Sequence, residues 1–232
     1  MPNIPTHLNL ARKTASRLSY PKIDQNLGCF MLGSPSPDIR AITKWKRDDT
    51  HFAPLDIDRI GTGVEGLFQK HPALRDPTLL TDETQIFLAG YFCHLIADET
   101  WIVDIYQPYF NWGSPSGDQV RLDIWDRALQ MDMDKVSKNE LGDPFQVCSV
   151  LNGSGSDVHV EFISGETLNQ WEEWVAEFIS REFSWDRLRF MTNRMYRDDA
   201  DAMRKAEEFL GDVKESLRFV YKEIPIEKVA AF

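Results

Sequence analysis

The sequence predicts an all-α protein, and three observations lead to that prediction. Apolar residues recur with the spacing of an amphipathic helix along nearly the whole chain. Only the segment VHVEFI, residues 158–163, alternates apolar and polar residues as a half-buried strand does. The chain has 232 residues and is 42% hydrophobic, which is sufficient for one domain with a substantial core. We therefore expect a single helical domain over residues 1–232, with about seven to nine helices.

In the first part of the chain, caps and turn residues delimit the predicted helices. The first helix begins near Thr6 and is stopped by Pro21, because proline cannot continue a helix. A short helix over residues 26–32 ends in the loop GSPSPD, whose prolines hold the backbone in one direction. Asp58 can cap a further helix that continues to Lys70.

The long central helix is the strongest prediction. Thr81, followed by two acidic residues, is a favourable start for a helix that continues to about Tyr106. This helix is apolar almost all round, so it should be the buried axis of the fold. Residues 151–157, LNGSGSD, form a linker-like stretch, and we expect the helices of residues 158–232 to pack on a core formed by residues 1–135. The remaining helices are predicted over residues 120–131, 166–182, 185–196 and 200–222.

Composition and charge argue against several classes of function. The chain has a formal net charge of −11, whose field repels nucleic acid and anionic membrane surfaces, so we expect neither as a partner. No segment at the start resembles a signal peptide, and no window reaches the roughly 18 apolar residues of a membrane-spanning helix. Cys29, Cys93 and Cys148 are widely spaced, as is typical of reduced thiols. We expect a soluble cytoplasmic protein, and the sequence leaves its oligomeric state open.

Histidine and aspartate residues in the first half of the chain are candidate metal ligands. His94 and Asp98 lie four residues apart on the apolar central helix, so they share one face. A buried carboxylate is costly unless it is paired, and imidazole with carboxylate is a ligand set that suits zinc. A lone buried histidine is more often a hydrogen-bonded core residue, so this pair alone is a weak signal. Asp38 and His51 on short loops, and His7 on the first turn, strengthen the metal interpretation.

Four motifs resemble a known family. The segments PTHLNLA, LGCFMLGSPSPDI, DDTH and FLAGYFCHLIADETW are similar in order and approximate spacing to motifs of the zinc-dependent phospholipase C family, which is related to P1 nuclease-like metalloproteins. The resemblance covers roughly residues 1–126. It implies a multi-helical bundle around a metal cleft, with one zinc bound by Asp38, His51, His94 and Asp98. It also implies that Asp98 bridges to a second ion bound by His7 and, in secreted members, by the N-terminal residue.

The sequence departs from the family at a third zinc site. In the family, this zinc is held by a histidine six residues beyond the bridging aspartate and by an H-x-x-x-E pair. The corresponding positions here are Asp104, Gln119 and Asp123, so both histidines are replaced. The third site is therefore weaker, binds a harder ion or is absent. We expect one or two zinc ions.

The resemblance and the ligand set together predict a hydrolase. Two ions that share Asp98 can activate a water molecule for attack on phosphorus, and Asp38 could accept a proton or orient that water. We therefore expect a metal-dependent phosphoester hydrolase with Asp38 and Asp98 as catalytic residues. The expected substrate is a small-molecule phosphoester or a phospholipid headgroup. The alternatives are a metal-dependent hydrolase of a non-phosphate bond and a non-catalytic helical protein with a structural metal ion.

Other motifs are weaker. GTGVEG, residues 61–66, matches G-x-G-x-x-G, but it follows no strand and opens no βαβ unit, so it does not predict dinucleotide binding. Cys93 is expected on a different helix face from His94, which argues against a Cys–His nucleophile pair. His71, before Pro72, is expected at a helix end and His159 is isolated, so we do not expect either to bind metal.

Overall fold

The fold is helical throughout the part of the chain that is described. The computed structural model describes residues 2–111, 118–224 and 229. Helices account for 75% of it, and no strand occurs among these residues. Within them, an isolated β-bridge joins Val160 and Ile163, inside the segment whose sequence alternates. The prediction of an all-α protein is confirmed.

The helices follow one another with short connections. In the first half of the chain they are α1 (Ile4–Leu18), α2 (Pro21–Gln25), α3 (Leu27–Gly33), α4 (Arg40–Thr43), α5 (Thr62–Lys70), α6 (Asp82–Thr100) and α7 (Gln107–Phe110). In the second half they are α8 (Gln119–Leu141), α9 (Pro144–Leu151), α10 (Gly165–Ser180), α11 (Arg187–Met195), α12 (Ala200–Gly211) and α13 (Val213–Glu223). A π-helical segment, Trp101–Tyr106, joins α6 to α7 without a break, so the long central helix is confirmed.

Helix α5 begins later than its sequence suggests. The predicted cap was Asp58, but the helix starts at Thr62, after Gly61 adopts a left-handed conformation with φ of 100°. The reason is a contact distant in sequence. The buried carboxylate of Glu99 on α6 accepts hydrogen bonds from the backbone N–H groups of Gly61 and Gly63, both at 2.5 Å. Glu99 therefore supplies the capping acceptor that Asp58 was expected to provide.

The second half of the chain also differs from the expected boundaries. Helix α8 was predicted to end near Met131 but continues to Leu141, because Asp134 and Ser137 are buried against α1 and hydrogen-bond with its first turn. Helix α9 was not predicted from the sequence. The predicted helix over residues 200–222 is divided at Asp212 into α12 and α13.

The apolar interior consists of two main clusters along the central helix. The first joins α1, α3, α6, α9 and α10, with Phe30, Phe87 and Tyr91 among its largest buried side chains. The second surrounds Trp101 and includes residues of α8, α11, α12 and α13, such as Phe209. The central helix and its π-helical extension therefore contribute buried side chains to both clusters.

Helices α3 and α6 approach each other unusually closely through two glycines. A Cβ atom on Gly33 would lie 2.0 Å from the carbonyl oxygen of Phe87, and one on Gly90 would lie 2.0 Å from that of Phe30. Such distances leave no room for a side chain at either position. The close packing brings the Ser34 carbonyl, just after α3, to the ring of His94 on α6.

The central helix is long and apolar enough to be compared with a membrane span. By length and composition alone, the stretch Asp82–Phe110, 29 residues, could cross a membrane. However, 61% of its most apolar window is buried inside the protein, and buried core helices commonly meet the same criteria. The expectation that the chain lacks a membrane-spanning segment stays a prediction.

Candidate metal centre

Four candidate ligands from three parts of the chain meet beside α6. The Nε2 atom of His51 lies 3.3 Å from Nε2 of His94 and 3.3 Å from Oδ2 of Asp98. The Nε2 atom of His94 is 3.5 Å from the same carboxylate oxygen, as their i, i+4 spacing predicts. Oδ1 of Asp38 is 3.9 Å from Nε2 of His51. The structure thus brings together the set that the sequence proposed for one ion.

His7 approaches the other oxygen of Asp98. Its Nε2 atom lies 3.4 Å from Oδ1, and its ring stacks on His94 with centroids 3.7 Å apart and planes inclined by 18°. Helix α1 carries His7 on its first turn, where Pro5 is well tolerated because the first N–H groups of a helix lack internal acceptors. The two Asp98 oxygens therefore face different imidazoles.

Hydrogen bonds on the far side of two rings select the tautomer. Nδ1 of His94 donates to the carbonyl oxygen of Ser34 at 2.8 Å, so its neutral ring presents a lone pair on Nε2. The Thr50 hydroxyl donates its hydrogen to the carbonyl of Arg47, at 3.2 Å, and is left to accept from Nδ1 of His51, at 3.0 Å. Both Nε2 lone pairs then point at Asp98. Lone pairs and a carboxylate repel one another unless a cation lies between them.

Several of these buried atoms lack a hydrogen-bond partner in the structure. They are both side-chain nitrogens of His7 and both side-chain oxygens of Asp98. The two residues are 0% and 1% exposed, so they are out of reach of bulk solvent. Burying an unpaired polar group costs a few kcal/mol, and a charged group costs more. A bound cation would satisfy both residues, so the residues present fit a metal ion.

The pKa shifts favour the protonation states that bind metal. Burial raises the pKa of Asp98, but its interactions with His94, His51 and His7 together hold that pKa well below its usual range. Burial, and secondarily the interaction with His94, lowers the pKa of His7. Asp98 is therefore a carboxylate and His7 a neutral imidazole near pH 7. These are the forms that coordinate metals.

Arg47 is a member of the cluster that the sequence did not indicate. Its Nη2 atom lies 3.6 Å from Oδ2 of Asp98, and its Nη1 atom donates to the carbonyl of Ala53 at 2.8 Å. Burial lowers the pKa of Arg47, while the charge of Asp98 raises it. The available signal was its position four residues before His51 in the motif RDDTH. Arg47 places a positive charge at the same carboxylate.

Glu99 holds a loop that packs against the backbone of His51. Its carboxylate binds the backbone of the GTG loop, residues 61–63, and so fixes the position of Gly63. Gly63 is close to the His51 backbone, since a Cβ atom on Gly63 would lie 2.6 Å from the carbonyl oxygen of His51. The segment GTGVEG is thus a helix start packed against the His51 backbone. Glu99 therefore supports a ligand-bearing segment without contacting the ligand side chains themselves.

The residues considered for a third site lie apart from this cluster. Asp104 is exposed on the π-helical segment. Asp123 accepts hydrogen bonds from Gln119 at 2.7 Å, from Tyr106 at 3.4 Å and from the hydroxyl of Tyr196. Burial, with the charge of Asp123, raises the pKa of Tyr106 to about 12. Among the described residues, none of the three candidates belongs to a group of metal-ligand side chains.

The remaining candidates have other contacts. Nδ1 of His71 is 3.3 Å from Glu161, and the backbone N–H of His159 donates to Thr84. Burial raises the pKa of the Cys93 thiol to about 11, which is unfavourable for a nucleophile.

Fold and site together define an all-α protein with a buried His/Asp cluster that could hold a metal ion. Two overlapping groups have ligand atoms within 4.8 Å of one another: His7, His94 and Asp98, and Asp38, His51 and His94. Comparison of the chain with protein-family models, curated proteins and solved structures gives no match. The likeness to zinc-dependent phospholipase C therefore rests on the four motifs alone.

Proposed function

We propose that this protein is a metal-dependent phosphoester hydrolase. One zinc ion would be held by Asp38, His51, His94 and Oδ2 of Asp98, and a second by His7 and Oδ1 of Asp98. The observation that carries the proposal is the buried Asp98 carboxylate, whose two oxygens face different imidazoles and accept no hydrogen bond. A carboxylate in this arrangement suits a bridge between two ions.

The chemistry that such a pair of ions supplies is well defined. When bound, they polarise the oxygens of a phosphoester and lower the pKa of a water molecule. The residues of the chain hold the ligands in the form this requires, since Ser34 and Thr50 keep the Nε2 lone pairs of His94 and His51 directed inward. Arg47 adds positive charge next to Asp98.

Asp38 is the residue best placed to act on substrate. Its side chain is 30% exposed, whereas His51 and Asp98 are each 2% exposed by the same measure. Asp38 thus stands where the buried cluster opens toward solvent, and its carboxylate could orient the attacking water or accept its proton. An open side is what distinguishes a catalytic metal site from a closed structural one.

Hydrolysis assays with matched variants test the proposal. Zinc-loaded protein should hydrolyse p-nitrophenyl phosphate, bis(p-nitrophenyl) phosphate or a phosphatidylcholine headgroup substrate, and should leave p-nitrophenyl acetate unchanged. His7→Ala should lose most activity while the ion at His94 stays bound, and His94→Ala should lose both. His159→Ala, remote from the cluster, serves as the control. Turnover of the acetate ester alone would indicate a hydrolase of another bond, and no turnover at all would contradict the proposal.

The burial of the cluster favours a second candidate function, in which the metal ion is structural. His7, His51, His94 and Asp98 are all at most 2% exposed, which is typical of a structural ion. In that case the protein would be a non-catalytic helical protein that requires metal for stability. Metal-dependent melting without turnover of any ester would support this alternative.

A further inference from the structure

A cleft lined by arginines opens beside the candidate metal centre. It has a volume of about 510 Å³ and is bordered by α4, α8, α10 and α11. Asp38 lines this cleft and also lies 3.9 Å from His51, so the cleft and the cluster share a residue. The charged residues that line it are Arg40, Arg127, Arg187, Arg194 and Asp38.

This concentration of positive charge contrasts with the rest of the chain. The net charge of the protein is −11, yet Asp38 is the single acidic residue among the described residues lining the cleft. In the described part of the chain, none of the four cleft arginines has a carboxylate oxygen within 4.0 Å. On the neighbouring surface of α11 and α12, by contrast, Arg189 pairs with Asp186 and Glu207, and Arg204 pairs with Asp201 and Glu208.

Two of the cleft arginines are held in place by uncharged partners. Nη1 of Arg127 donates to Gln130 at 2.8 Å, and Gln130 donates to Asp126 at 2.7 Å. The guanidinium of Arg187 lies over the ring of Phe178, 4.8 Å from its centroid. These contacts orient the two guanidinium groups, and the charge of the buried Asp134 also acts on Arg187. Oriented guanidinium groups bind phosphate oxygens in pairs, with more affinity than a neutral donor provides.

Part of the cleft lining is apolar. Trp174 stacks on Phe178 with ring centroids 5.0 Å apart, and both side chains line the cleft together with Met191. A ligand that fits this cleft therefore combines anionic groups with a carbon skeleton or ring. A quaternary ammonium group, as in a choline headgroup, would meet four positive charges and is disfavoured.

We propose that this cleft binds a second phosphate group of the substrate while the first lies at the metal cluster. The substrate would then be a small molecule with at least two phosphate groups and a nonpolar part that rests against Trp174 and Phe178. This inference rests on the proposed hydrolase function for the position of the first phosphate. The anion-binding property of the arginines is independent of catalysis.

Calorimetric titration with two sugar phosphates tests the inference. Zinc-loaded protein should bind fructose 1,6-bisphosphate about tenfold or more tightly than fructose 6-phosphate, because its second phosphate can accept charged hydrogen bonds from the cleft arginines. Arg187→Gln and Arg194→Gln should each lower the affinity for the bisphosphate several-fold or more. Arg194 is exposed, so its replacement leaves the fold unaffected even if Arg187→Gln does not fold. Arg204→Gln, outside the cleft, should leave the affinity unchanged.

The outcomes separate this inference from the hydrolase proposal. Tight, arginine-dependent binding of the bisphosphate without any hydrolysis would support the anion cleft and contradict the hydrolase. Hydrolysis of bis(p-nitrophenyl) phosphate with equal affinity for the two sugar phosphates would support the hydrolase and contradict the anion cleft. No measurable binding of the bisphosphate, or affinities that do not change in the cleft variants, would overturn the inference.

Discussion

Asp134 should make the stability of the protein fall as the pH rises from about 4 to about 6. This carboxyl group is 0% exposed on α8, where it accepts hydrogen bonds from Asn3 at 2.7 Å and from Thr6 at 2.8 Å. Burial raises its pKa from 3.8 to about 6, although the two hydrogen bonds and the charge of Arg187 lower it in part. The group anchors the first turn of α1, which carries His7.

The direction of the effect follows from proton linkage. The folded state holds the Asp134 proton more tightly than the unfolded state, so this contribution to stability is fully present below pH 3.8. The contribution is lost as the pH rises through the folded pKa of about 6. A shift of about two pKa units corresponds to about 3 kcal/mol in the free energy of unfolding. Asp134→Asn removes the titration and keeps an oxygen that can accept the bond from Thr6.

Urea denaturation at several pH values measures this contribution. The free energy of unfolding of the wild type, minus that of Asp134→Asn, should decrease by about 3 kcal/mol between pH 4 and pH 7. Other titrating groups cancel in the difference, because both proteins contain them. Asp132→Asn, on the same helix and hydrogen-bonded to Tyr221, is a suitable control for the loss of one carboxylate. Parallel stability curves for wild type and Asp134→Asn would refute the reasoning.

Three further perturbations have expected outcomes. Chelation of metal should lower the melting temperature of the wild type, because the bound ion neutralises the buried Asp98 carboxylate. It should leave the melting temperature of His94→Ala nearly unchanged. Equal decreases in melting temperature for the two proteins would contradict this expectation. Gly90→Ala should lower the free energy of unfolding by about 1–3 kcal/mol, because the new Cβ atom would overlap the backbone of α3. The control Gly165→Ala has open space around the new Cβ atom and should leave the melting temperature nearly unchanged. Glu99→Gln should lower the free energy of unfolding by about 1–3 kcal/mol, because only one side-chain oxygen remains to accept hydrogen bonds from Gly61 and Gly63. The same variant should bind zinc more weakly, as measured by competition with a chelator.

Local sequence signals predicted the fold class and the central helix well. The Thr81 cap and the apolar pattern that follows it describe α6, and the side chain of Thr81 accepts from the N–H of Thr84. The start of α5 could not be predicted in the same way, because its cap is Glu99, which is distant in sequence. The continuation of α8 past Met131 depends on burial of Asp134 against α1, a tertiary contact that the polar sequence of this segment conceals.

In the candidate site, too, local spacing could be predicted from the sequence and contacts distant in sequence could not. The spacing of His94 and Asp98 placed both on one helix face, as the structure has them. His7 and His51 are distant in sequence, so helical periodicity could not add them: their residue type and loop or first-turn positions made them candidates, and the motif resemblance assigned them to particular ions. Arg47 was missed because its position four residues before His51 does not by itself show that its side chain turns toward Asp98. The arginine cleft could not be predicted from the sequence either, because its arginines come from α4, α8 and α11.

Zinc-edge anomalous diffraction from crystals grown with zinc would locate any ions bound at this cluster. We expect two anomalous peaks about 3.5–4 Å apart, one on each side of the Asp98 carboxylate. The first peak should lie among His51, His94 and Asp38, and the second next to His7. A single peak beside Asp98 would contradict the two-ion bridge, and no peak within about 3 Å of its oxygens would contradict metal binding at this cluster.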